Sequence, residues 1–259
     1  MIGRIDLHVS PDDAERASLE KRQIVVVDVL RTCTTIATAL RNGAAKVIPV
    51  ATVEEATRLA PTLDPKQRLL CGERDGAKVN GFDLGNSPRE YERGRVEGKT
   101  LLFASTNASP LMAGLLVGRE QRLLSYVNLS AVADAVLAEG ADLAIVCAGK
   151  NGQLSLEDTA CAGALVRRLA ESAGRRERGG AARRAPASHP TLNDAAEMAA
   201  AFDRTHGGAP EEILRRSEHG RYLIELGFEA DLPLCAAIDS VPVVPVLREG
   251  RISASPGKG

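Results

Sequence analysis

Residues 23–50 read QIVVVDVLRTCTTIATALRNGAAKVIPV, and the spacing of their apolar residues changes twice. In QIVVVDVL (23–30) they are nearly continuous and mostly β-branched, the pattern of a strand covered on both faces. TTIATALRNGA then reads as a helix with a stop signal at Asn42-Gly43. AKVIPV (45–50) returns to strand. Strand, helix, strand in this order implies a largely parallel sheet with helices on its faces.

The same alternation extends outward. RLLCG (68–72), TLLFAS (100–105), RLLSY (122–126) and DLAIVCAG (142–149) read as further buried strands. TVEEATRLA opens on a Thr52-x-x-Glu55 capping box, NLSAVADAVLAEG stops at Gly140, and SLEDTACAGALVRRLAES starts with Ser155 and Asp158 at capping-box spacing. The predicted fold is α/β, three-layer α/β/α with a largely parallel or mixed sheet. AGRRERGGAARRAPASHP (173–190) has no hydrophobic period and reads as a solvated loop. The chain is therefore one domain over 1–259, or two subdomains split near 173–190. Beyond it, TLNDAAEMAAAFDRT, APEEILRRSEHGRYLIELGF and EADLPLCAAI read as helical. VPVVPVLREGRI (241–252) reads as a strand, with Pro242 and Pro245 at an edge or a start.

Composition excludes several classes. The 33 Lys and Arg against 34 Asp and Glu leave a formal charge of −1. Such a chain offers no global attraction to nucleic acid or an anionic membrane. The arginines of 173–190 lack interleaved aromatic residues to stack on bases. No apolar run reaches the roughly 20 residues of a membrane span, and MIGRIDLHVSPDDAER lacks a signal-peptide core. A cytoplasmic location is expected. The five cysteines, Cys33, Cys71, Cys147, Cys161 and Cys235, include no CxxC pair and read as small buried hydrophobes. Of the four histidines, His8 precedes a turn, while His189, His206 and His219 fall in loops or helix ends, none at metal-ligand spacing.

Ligands of open α/β sheets bind beyond the carboxyl ends of the strands. After the first strand, Asp28 and Arg31 precede Thr32, Thr34 and Thr35, which suit caps of the following helix. A carboxylate there suits a hard cation, and an Arg beside helix N–H groups suits phosphate. After the third strand, CGERDGAKVNGFDLGNSP (71–88) is long and polar. Glu73 and Arg74 follow its strand, and Asp83 and Asn86 shape the loop or touch a ligand. Ser87-Pro88-x-Glu90 reads as a plain helix start. Ser105, Thr106 and Asn107 crowd the start of the next helix. Lys150 follows the sixth strand, and Glu157 and Asp158 open the helix after it. Acid plus Arg or hydroxyl recurs at strand ends, which points to a divalent metal and a phosphate ester. Nucleotide-loop, metalloprotease and serine-hydrolase motifs are absent.

With these stretches placed, the chain resembles the 2-phosphosulfolactate phosphatase (ComB-like) family. The resemblance rests on VVVDVLRTCTTIATALRNGA (25–44), GERDGAKVNGFDLGNSP (72–88), STNAS (105–109), CAGKNGQLSLEDTACAG (147–163) and SEHGRYLIELGFEADLPLCAAIDSVPVVPVLREGRI (217–252). At 105–109 the family pattern is closer to Thr-Thr-Asn-Gly-Thr, and this chain has Ala108 and Ser109. The resemblance implies a Mg²⁺-dependent phosphatase cleaving a small anionic phosphoester beside a carboxylate and a sulfonate, in coenzyme M synthesis. It leaves a homodimer open. On that reading Asp28, Glu73, Asp83 and Asp158 supply the metal ligands, and Arg31 and Arg74 neutralise the phosphoryl group. Thr34, Thr35, Asn86, Ser105, Thr106, Asn107 and Lys150 bind substrate. The nucleophile is a metal-activated water or Asp28 itself. The alternative is an inactive, sensory protein that binds a phosphorylated metabolite. A haloacid-dehalogenase phosphatase fits less well, because Leu30 stands where that motif needs its second acid.

Overall fold

The computed structural model describes residues 1–114, 117–178 and 189–255, with the backbone alone for 173–178. The strands are β1 (Arg4–His8), β2 (Gln23–Val27), β3 (Lys46–Val50), β4 (Arg68–Arg74), β5 (Ala77–Lys78), β6 (Thr100–Ala104), β7 (Gln121–Leu124), β8 (Leu143–Cys147), β9 (Thr191–Leu192), β10 (Pro245–Arg248) and β11 (Arg251–Ala254). The helices are α1 (Pro11–Glu15), α2 (Thr32–Arg41), α3 (Val53–Leu59), α4 (Arg93–Val96), α5 (Ala108–Ala113), α6 (Leu129–Glu139), α7 (Leu156–Arg178), α8 (Asp194–His206), α9 (Pro210–Arg216), α10 (Glu218–Glu225) and α11 (Leu232–Ala236).

The sheet order is β5-β4-β6-β3-β11-β10-β7-β2-β8-β1-β9. It is mixed. One parallel block is β4-β6-β3, the other is β7-β2-β8-β1-β9, and the antiparallel hairpin β10–β11 joins them. Three antiparallel pairings in succession reverse the strand direction between the blocks. Residues at the carboxyl ends of β4 and β6 from one block and of β2 and β8 from the other nevertheless lie together. Those ends meet at the cavity described below.

Strand β2 shows why near-continuous apolar character was required. Val25 and Val27 pack with α6, α7 and α8 on one face, while Ile24 and Val26 pack with α2 and α5 on the other. A smaller core under α3 holds Val50, Phe82 and Leu102. Helices thus cover both faces, giving three layers. All five cysteines are buried and free.

Several sequence expectations change. VPVVPVLREGRI is not one strand: Glu249 and Gly250, both at positive φ, turn the chain into a hairpin. Pro245 begins β10, one of the two expected positions, so its missing N–H falls at a strand start. RIDLH forms an extra strand, β1. Thr191 and Leu192 pair with it, and α8 starts only after Asn193, whose side chain accepts from the Ala196 N–H. The long helix expected over APEEILRRSEHGRYLIELGF breaks at Ser217. That residue is extended, and its hydroxyl caps α10 by accepting from the Gly220 N–H at 2.9 Å. The loop expected from 173 starts later, since α7 runs to Arg178. Residues 179–188, where the subdomain split was expected, lie outside the described residues.

Candidate active site

The carboxyl ends of β2, β4, β6 and β8 surround a cavity of about 230 Å³. Asp28, Arg31, Glu73, Asn86, Thr106, Asn107 and Lys150 line it, as do Asp75, Asn151, His219 and Tyr222.

Asp28 follows the last residue of β2 and starts the turn into α2. Its Oδ1 accepts from the Thr32 N–H at 2.9 Å, and its carbonyl accepts from Cys33 N–H at 3.0 Å. The acid, not a threonine hydroxyl, caps α2. Burial pushes the Asp28 carboxyl up to about 6; nearby His219 and the Thr32 hydrogen bonds pull it down, and Glu73 pushes it up. The threonines are used elsewhere. Thr34 Oγ1 donates to the Val29 carbonyl and shares a hydrogen bond with Ser125 Oγ. Thr35 Oγ1 donates to the Asn86 carbonyl at 2.8 Å. Neither hydroxyl lines the cavity, but Thr35 anchors Asn86.

Arg31 is clamped. Nη1 donates to Asp231 Oδ2 at 2.8 Å and Nη2 to the Gly76 carbonyl at 2.7 Å, with the guanidinium 4.1 Å from the Phe228 ring centroid. Ser87 Oγ donates to the other Asp231 oxygen at 2.7 Å. A short 3-10 helix does start at Pro88 with Ser87 at its N-cap position, as expected, but the Ser87 hydroxyl serves Asp231 instead of capping. A guanidinium held on three sides presents fixed positive charge to the cavity.

Glu73 closes the loop above β4. Its Oε1 accepts from Thr106 N–H at 2.6 Å, and its Oε2 from Gly76 N–H at 2.7 Å and Thr106 Oγ1 at 3.0 Å. Gly72 permits the turn: its φ is +135°, and a Cβ there would lie 1.8 Å from the Ala104 carbonyl oxygen. Lys150 Nζ lies 2.9 Å from Glu218 and 5.0 Å from the Tyr222 ring centroid. Asn107 Oδ1 accepts from Asn151 N–H at 3.2 Å.

Four further expected site residues lie away from the cavity. Arg74 is 62% exposed and pairs with Glu54. Asp83 is exposed and accepts from the Leu70 N–H. Asp158 is buried with both oxygens in use, accepting from Val29 N–H at 2.8 Å and Gly149 N–H at 3.1 Å, so it ties the β2 loop to the β8 loop. Burial, then Glu157 and Asp28, push its carboxyl up. Ser105 bonds to Ser109 at the start of α5. Ala108 begins α5 and is buried there, so the helix forms without the family glycine.

The donor set suits a hard cation. Asn86 Oδ1 is buried with no hydrogen-bond partner. Thr32 is the one protein hydrogen-bond partner of the Asp28 carboxylate among the described residues, so lone pairs remain for a ligand. One carboxylate and one amide oxygen match Mg²⁺, which keeps several waters and takes one or two carboxylates. No group of three His, Cys, Asp or Glu able to hold a metal occurs among the described residues, which does not fit a zinc cage. Sequence reasoning missed His219, Tyr222 and Asp231. They come from the carboxyl-terminal third, and only the tertiary fold brings them to the strand ends.

Comparison with known proteins extends this geometry. A family model described as 2-phosphosulpholactate phosphatase matches residues 8–250. A protein of Carboxydothermus hydrogenoformans named "Probable 2-phosphosulfolactate phosphatase" is 40% identical over 251 residues, covering 96% of each chain. A Thermotoga maritima protein of the same name is 39% identical over 236 residues, 90% of this chain and 92% of its own. One from Clostridium acetobutylicum is 33% identical over 249 residues, 96% and 99%. Fold, cavity and relatives together define a phosphoric monoester hydrolase of α/β/α architecture. The chain belongs to the 2-phosphosulfolactate phosphatase family. No helix among the described residues is long and apolar enough to cross a membrane.

Proposed function

We propose that this chain hydrolyses 2-phosphosulfolactate, or a closely related small phosphorylated hydroxy acid, with Mg²⁺ as cofactor. The observation that carries the reading is the convergence of Asp28, Asn86 and the clamped Arg31 on one small polar cavity. Asp28 and Asn86 would hold the metal. When bound, the metal screens the charge of the phosphoryl oxygens and makes the phosphorus a better electrophile.

The chain's own residues do the rest. Arg31 faces the transferring phosphoryl group as a fixed cation and needs no reorganisation during the reaction. Lys150 is held by an exposed Glu218, so it can exchange that partner for an anionic group of the substrate. Thr106 and Asn107 orient the substrate from the β6 end. The attacking oxygen comes from water. Its proton leaves to solvent through the open side of the cavity, and Asp28, with lone pairs free of protein donors other than Thr32, stays available to the metal. Glu73 ties the β4 loop to Thr106 and so sets the cavity wall. The sensory alternative drew on the Ala108 and Ser109 departure. Both lie in α5 away from the cavity wall, which favours the enzyme reading.

A panel of phosphorylated hydroxy acids tests the substrate. The highest kcat/KM is expected for 2-phosphosulfolactate, with a fall when the sulfonate is removed. Equal values across the panel would contradict the proposal.

A further inference from the structure

His219 sits in the first turn of α10, which exists because Ser217 breaks the preceding helix and caps this one. The ring lines the main cavity and also a second compartment of about 230 Å³ between Lys150 and Glu157. Its Nδ1 lies 3.4 Å from Glu157 Oε1. Glu157 is 1% exposed, and its Oε2 is buried without a hydrogen-bond partner. His219 is thus the one basic side chain within ion-pair distance of this carboxylate among the described residues. With Nδ1 facing Glu157, Nε2 is the ring nitrogen with no protein hydrogen-bond partner among the described residues, as in acid–histidine pairs generally.

We infer that His219 is a catalytic residue that protonates the leaving oxygen of the phosphoester, and that Glu157 is its positioning residue. The inference rests on the phosphatase reading above. An ester of an aliphatic hydroxyl expels a strongly basic alkoxide, so a proton must arrive as the bond breaks. The ester P–O bond breaks with its electron pair on the ester oxygen. The Nε2 proton moves to that oxygen and gives the free hydroxyl. The attacking water oxygen becomes the fourth oxygen of inorganic phosphate, and its proton passes to solvent. Solvent returns a proton to His219 Nε2 before the next turnover.

Other cavity groups are less suited to this step. Both Arg31 terminal nitrogens are committed to Asp231 and Gly76. Lys150 already faces Glu218 and the Tyr222 ring. Glu73 accepts three hydrogen bonds from the protein. Tyr222 donates its hydroxyl to the Asp75 carbonyl at 2.9 Å.

The test is the dependence of rate on the leaving group. An alkyl phosphate needs the proton, whereas 4-nitrophenyl phosphate expels a stable anion and does not. His219→Gln is expected to lose about 10²–10⁴-fold in kcat on the alkyl ester and less than about tenfold on the nitrophenyl ester. Glu157→Gln is expected to show the same split, smaller in size, and its thermal melting reports whether the fold survives. Equal losses on both esters in His219→Gln would overturn the inference and leave the phosphatase reading standing. A wild-type enzyme that hydrolyses neither ester nor 2-phosphosulfolactate would overturn both.

Discussion

Arg31 and Asp231 lie 200 positions apart in the chain and form a 2.8 Å ion pair in which both side chains are 2% exposed. The pair carries the carboxyl-terminal segment to the mouth of the cavity and holds the guanidinium still. Removing one partner leaves a buried charge alone, which costs about 3–5 kcal/mol. Asp231→Ala is therefore expected to lower unfolding stability by that amount in urea titration. Its activity should fall even at temperatures where the fold persists, because Arg31 is no longer fixed.

Arg74 stands next to Glu73 in sequence but points the other way, to Glu54 at the surface. Surface substitutions away from a site change little. Steady-state kinetics of Arg74→Ala should show turnover within about twofold of the wild type.

Asn86 presents a buried oxygen without a partner. Asn86→Ala is expected to raise the Mg²⁺ concentration for half-maximal activity by about 10–100-fold, the range seen even for outer-shell partners of a metal. Thr35→Ala should act in the same direction and more weakly, since Thr35 anchors the Asn86 backbone. Metal titrations of activity check both.

The Asp28 carboxyl gives a pH signature. Its folded value, about 6, lies above its ordinary 3.8, chiefly through burial. The folded protein binds this proton more tightly than the unfolded chain does. The stabilisation is thus complete below pH 4 and lost as pH rises to about 6 and beyond. The interval corresponds to roughly 3 kcal/mol. Asp28→Asn removes that loss. In urea titrations with EDTA present, the variant should gain on the wild type between pH 4 and 7, with Asp158 unchanged in both. A difference that stays constant over that range would contradict the assignment.

Much of this architecture was legible because local signals agreed. The apolar runs of 23–27, 100–104 and 143–147 are strands, and the Thr52–Glu55 and Ser155–Asp158 spacings do cap helices. What local pattern could not carry was pairing. The β10–β11 hairpin depends on a two-residue turn at Glu249-Gly250, while β1 is placed by pairing with β8 and the two-residue β9 by pairing with β1. At the site, residues beside strand ends could be read off, but the direction of each side chain could not. Asp83 and Asp158 have the right charge and face backbone N–H groups instead. His219 carried no local signal, because its position depends on the break at Ser217 and on the docking of α10 over the cavity.

The cavity around Asp28 is proposed to perform metal-dependent hydrolysis. Phosphate release from 2-phosphosulfolactate, measured for the wild type and Asp28→Asn with Mg²⁺ and with EDTA, tests it most directly. Release is expected from the wild type with Mg²⁺, none with EDTA, recovery on adding Mg²⁺ back, and a loss of at least about a hundredfold in Asp28→Asn. Release that continues unchanged in EDTA or in Asp28→Asn, or no release under any condition, would contradict it.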